Sequence, residues 1–67
     1  MEVIRAEIWA EYHEDLWDCC NEVESKTIIC SSVAEVEEEL EKMVVHLLNN
    51  YYVDDSGYEI IDREIRR

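Results

Sequence analysis

Proline is absent from this chain, and glycine occurs once, at Gly57. A Gly-rich phosphate-binding loop is therefore excluded, and no low-complexity linker divides the sequence. Basic side chains are scarce as well: six stand against 18 acidic ones, for a formal net charge of −12. Arg63, Arg66 and Arg67 supply half of the positive charge from the last five residues, where Glu64 is the lone acid. Before them only Arg5, Lys26 and Lys42 are basic. Such a field opposes direct contact with nucleic acid or an anionic membrane and favours a basic protein partner. No apolar run approaches the ~20 residues that span a bilayer. The start, Met1-Glu2-Val3, lacks the basic and apolar stretches of a signal peptide, so a cytoplasmic location is expected. Cys19, Cys20 and Cys30 form an odd set with an adjacent pair, a poor disulfide framework, and reduced thiols are expected.

What is present fits one small domain, 1–67, with a thin core. The hydrophobic fraction of 48% is too high for a disordered acidic tail. A domain this small is marginal without further support, and self-association as a homodimer is one common remedy.

The middle of the chain has the clearest pattern. Val33, Val36, Leu40, Met43, Val44 and Leu47 recur at helical spacing, while Glu35, Glu38, Glu39, Lys42 and His46 lie away from that stripe. The spacing predicts a helix over Val33–Asn50. Ser32 with Glu35 fits a capping box at its start, and Asn49-Asn50 fits a left-handed end. Lys26–Cys30 is short and β-branched, and reads as a strand. Tyr51–Val53 reads as a short strand, Asp54-Asp55-Ser56-Gly57 as a turn, and Tyr58–Ile65 as a further strand. The first 24 residues satisfy two periods. Ile4, Ala6, Ile8, Ala10 and Tyr12 alternate with Arg5, Glu7, Trp9 and Glu11 as in a strand. Ile4, Ile8, Tyr12, Leu16, Cys19 and Val23 also make a helical stripe. The expected fold is α+β: an antiparallel sheet of three or four strands, with Val3–Tyr12 as one of them and the helix across one face. A helix over residues 2–24 before strand-helix-strand is the alternative.

Catalytic chemistry has little footing. His13, Cys19, Cys20, Cys30 and His46 could in principle gather round a metal, but their spacing matches no zinc pattern. Small buried thiols and surface histidines explain them better. Asp54–Glu59 lacks the alternating oxygen ligands and distant bidentate glutamate of a calcium loop. No context pairs a nucleophile with a base. No catalytic residue, metal or cofactor is expected, and the chain reads as a non-enzymatic binding protein.

Two features point to a binding surface. Glu35, Glu38, Glu39 and Glu41 put carboxylates on neighbouring helical turns, a row that can enter a groove built for phosphates. Glu7 and Glu11 belong to a second row near the start. The bland reading is a solvated face that keeps the protein soluble. The aromatic side chains, Trp9, Trp17, Tyr12, Tyr51, Tyr52 and Tyr58, are many for so small a core. Trp9, opposite to Ile4 and Ile8 on a strand, is the candidate anchor.

In size, charge and the segment Thr27–Glu37, a strand running through Ser31-Ser32 into an acidic helix, the chain resembles the small acidic proteins of bacteriophages and mobile elements that disable host defence, anti-CRISPR proteins and other DNA mimics among them. The resemblance implies an inhibitor acting in the host cytoplasm on a basic, nucleic-acid-binding surface, such as that of a CRISPR nuclease complex. The competing reading is a homo-oligomeric or adaptor module whose charge serves solubility.

Overall fold

In the structure, a computed structural model that describes residues 1–14 and 21–65, the alternation of residues 2–13 decides the first element. Ile4, Ala6, Ile8 and Ala10 are all fully buried, and only a strand puts these four on one side. The helical alternative would have left Ala6 and Ala10 off the stripe. Strand β1 spans Glu2–His13, β2 spans Glu22–Cys30, helix α1 spans Val33–Leu48 and β3 spans Tyr52–Ile65.

The sheet has the order β2-β1-β3, and β1 pairs antiparallel with both neighbours. The two outer strands therefore run parallel to each other, and α1 is the crossover between them. The α+β class with a three-stranded antiparallel sheet and one helix against it is as the sequence predicts.

Helix α1 covers the face that carries Ile4 and Ile8. Val36, Met43 and Leu47 are buried against them, and Leu40, Val33 and Val44 pack at the margin. Each fully buried side chain of this size contributes roughly 1.5–3 kcal/mol. Ala6 and Ala10 alternate with Ile4 and Ile8, which keeps the middle of the sheet low enough for the helix to sit close. At the helix start the Oγ of Ser32 accepts from the N–H of Glu35 at 3.3 Å. The Glu35 carboxylate reaches back one residue further than a capping box requires, accepting from the backbone N–H and hydroxyl of Ser31 at 3.1 and 2.9 Å. The helix ends at Leu48, and its cap Asn49 keeps a right-handed conformation rather than the expected left-handed one. The N–H groups of Asn50 and Tyr51 both return to the carbonyl of Leu47, which closes the last turn without it.

The expected turn at Asp54–Gly57 is not a turn. These residues lie inside β3, which runs unbroken for 14 residues and merges the two short strands. Two irregularities accommodate the turn-like composition: Asp54 and Ile61 are extra residues in the pairing with β1, as in β-bulges. Asp54 has no backbone partner across the ladder, but its carboxylate meets Nδ1 of His13 on β1 at 2.6 Å. His13 also stacks on Tyr52, with ring centroids 5.2 Å apart. Gly57 stands opposite Trp9, whose ring lies so near that an added Cβ would come within 2.8 Å of it. Strand β2 starts four residues earlier than the β-branched run Lys26–Cys30 suggests. Cys30 is a buried free thiol; Cys19, Cys20, Trp17 and the rest of 15–20 lie outside the described residues.

Candidate protein-binding surface

Helix α1 covers one face of the sheet, and among the described residues no element covers the other. The alternation of β1 that buries Ile4 and Ile8 sends Arg5, Glu7, Trp9, Glu11 and His13 to that open face. The pairing with β3 decides what stands beside them. Glu7 faces Glu59, and Glu11 faces Asp55. Side chains directly opposite on an antiparallel pair have their Cβ atoms about 4.5–5.5 Å apart, and like charges there are destabilising. Glu7 and Glu59 have no hydrogen-bond or ion-pair partner among the described residues. Glu11 accepts from the Asn21 side-chain amide at 2.6 Å, and Asp55 accepts from the Ser56 N–H at 2.9 Å. Between the two acidic pairs sits Trp9, half-buried against the bare backbone of Gly57. Further along, Arg5 stands opposite Asp62.

The helix row is a separate surface. Glu35, Glu38, Glu39 and Glu41 lie on α1, across the sheet from Glu7, Trp9 and Glu11, so the seven candidate residues do not form one patch. Two members of the row are engaged by neighbouring residues. Glu35 holds Ser31, whose backbone N–H and then hydroxyl keep its carboxyl below the ordinary value, against a smaller opposing effect of desolvation. Glu39 bonds Lys42 at 3.2 Å, and that contact, with Glu38 nearby, raises the lysine. Glu38 and Glu41 remain exposed. Glu37, which belongs to neither row, accepts from the Tyr58 hydroxyl at 3.1 Å and ties the helix to β3. That bond, followed by desolvation, raises the tyrosine pKa.

Sequence reasoning placed Glu7, Trp9 and Glu11 on one strand face but missed Asp55 and Glu59 as their neighbours. The alternation within β1 was visible; the pairing was hidden by the turn assigned to Asp54–Gly57. The histidines and cysteines considered for a metal are dispersed. His13 is bound to Asp54, His46 is exposed on α1, and Cys30 lies in the core, where burial and then Glu35 and Glu39 raise its thiol. Among the described residues no three His, Cys, Asp or Glu side chains are grouped to hold a metal ion, and no helix is long and apolar enough to cross a membrane. The clefts are shallow surface grooves; the one between β2 and the start of α1 is lined by Ile28, Cys30, Glu35, Glu38 and Glu39. Comparison with family models, with curated proteins and with solved structures finds no match to this chain.

Proposed function

We propose that this chain is a non-enzymatic acidic binding protein whose open sheet face occupies a basic, nucleic-acid-binding surface of a partner protein. A phage-type inhibitor of host defence, acting on a target such as a CRISPR nuclease complex, is the setting that its size and charge suit best. One observation carries the reading: the facing pairs Glu7–Glu59 and Glu11–Asp55 on an uncovered sheet, with Trp9 between them. Facing carboxylates weaken a sheet, so their presence twice on the face without a helix is better explained by a cationic partner than by folding. Solubility alone would be served by carboxylates placed apart. A half-buried tryptophan at the centre supplies the apolar anchor that a purely electrostatic contact lacks.

The test is capture of partners from a host lysate at low and high salt, followed by affinity measurements on variants. Single Glu→Gln changes on the open face should each cost little, because rim charges act mainly on the association rate. The combined Glu7, Glu11, Glu59→Gln and Asp55→Asn variant should lose most of its affinity while its circular dichroism stays that of the parent. Trp9→Ala should cost on the order of 2 kcal/mol or more. Glu38 and Glu41→Gln on the helix serve as the comparison. If the four-residue open-face variant binds as tightly as the parent, the face is only solvated surface and the proposal fails.

A further inference from the structure

The two edges of the sheet differ in a way that the acidic face does not explain. The outer edge of β3 is interrupted at Asp54 and Ile61, where the extra residues break the regular ladder. Such bulges are a common means of blunting an edge against pairing with another chain. The outer edge of β2 has no such device. Glu22–Cys30 pairs with β1 in one unbroken register, so its far side offers a regular row of backbone N–H and C=O groups. Helix α1 packs mainly on β3 and β1, and it leaves the β2 flank open. A groove lined by Glu24, Lys26, Glu39, Lys42, Met43 and His46 runs along it.

Charge on this flank is also different. Lys26 and Lys42, the only lysines of the chain, both lie here. In this groove the two lysines stand against Glu24 and Glu39, so a second acidic copy meets no net negative charge there, and a strongly basic ligand finds a poor match. Strand β2 is moreover complementary to itself. Directly opposite residues in an antiparallel sheet point to the same face, so a symmetric β2–β2 pair must place one residue on the two-fold axis. With Ser25 on the axis, Glu24 of each copy faces Lys26 of the other, and Val23 faces Thr27. Shifting the axis to Lys26 sets lysine against lysine, and shifting it to Glu24 sets glutamate against glutamate.

We infer that β2 is a homodimerisation edge, on which the β2 of a second copy pairs antiparallel about Ser25 to make one continuous six-stranded sheet. The two-fold axis stands perpendicular to the sheet, so both helices fall on one side and both open faces on the other. The inference does not rest on the function proposed above.

Charge reversal tests it. Sedimentation equilibrium in reducing buffer, which excludes cysteine cross-links, should show the parent chain as a concentration-dependent dimer. Glu24→Lys and Lys26→Glu should each be monomeric at concentrations where the parent is dimeric, since each places like charges across the axis twice. An equimolar mixture of the two should recover a heterodimer, and the double variant E24K/K26E should dimerise like the parent. General charge repulsion predicts something else. Glu24→Lys makes the chain less acidic and Lys26→Glu more acidic, so repulsion alone would move the two in opposite directions. Circular dichroism of each variant reports folding, and recovery on mixing shows that each single variant retains a competent strand. A parent that stays monomeric throughout, or single variants that dimerise as it does, overturns the inference.

Discussion

Gly57 shows how one residue can be misread by its chemistry. It is the single glycine, it follows Asp54-Asp55-Ser56, and it nevertheless has no positive φ and sits in mid-strand. Its role is steric. The Trp9 ring occupies the space where a side chain would stand, so a methyl group there would meet Cζ2 at 2.8 Å and Cε2 at 3.1 Å. To admit it, either the half-buried Trp9 ring must swing away or the backbone of β3 must shift. We expect Gly57→Ala to destabilise the fold by about 1–3 kcal/mol, the usual penalty for overpacking, less a small gain because glycine weakens strands. The midpoint of urea unfolding, followed by far-ultraviolet circular dichroism, measures this. A midpoint at or above that of the parent would mean that Trp9 moves aside at no cost.

At the scale of elements, α1 shows what local sequence can specify. Its apolar stripe, its first residue and its Ser32 cap were all legible, because each depends on residues within a few turns of each other. The cap gives a prediction with a defined sign. Serine to alanine at an N-cap costs about 1 kcal/mol, so Ser32→Ala should lower stability by that amount at neutral pH. Glu35 adds a pH dependence. Its carboxyl is held below its ordinary value of 4.5, first by the Ser31 backbone N–H and then by the Ser31 hydroxyl. A lowered value in the folded state means that the ionised form stabilises the fold. That contribution is complete above the ordinary value and disappears as pH falls through the lower, folded-state value. The melting-temperature difference between parent and Glu35→Gln should therefore shrink on acidification below that ordinary value; a difference constant with pH would show that the charge on Glu35 is irrelevant. Strands were less legible, and for a physical reason. Strand β1 declared itself by alternation, yet its helical rival shared Ile4, Ile8 and Tyr12, and only the burial of Ala6 and Ala10 separates the two. Strand β3 was split by a turn assignment because the groups that hold Asp54 and Gly57 in a strand, His13 and Trp9, lie about forty or more residues away. The candidate surface inherited that error: the helix row could be seen in one segment, whereas the Glu7–Glu59 and Glu11–Asp55 pairs exist only once two distant segments meet.

Taken whole, the molecule carries a charge of −12, and its described ion pairs are few. Glu39–Lys42, Glu2–Arg63 and His13–Asp54 are all on partly exposed side chains, where such pairs contribute little. Repulsion among the remaining carboxylates outweighs them, and it is greater in the folded chain than in the expanded one. Added salt screens it. The melting temperature at low protein concentration should rise between low and moderate sodium chloride, and a steady fall would mean that the ion pairs dominate.

The pairing of Glu2 with Ile65 joins the two ends of the described chain within one sheet. Residue 65 is added during synthesis long after residue 2, and the ribosome shields the most recent stretch of chain. Until that last strand emerges, β1 has only β2 beside it, and a lone hairpin is marginal in water. The apolar side of β1 waits for α1, and its second edge waits for β3. Folding of this sheet must then wait until β3 has left the ribosome, and the nascent chain passes through a stage in which Ile4 and Ile8 lie open to whatever binds emerging polypeptides.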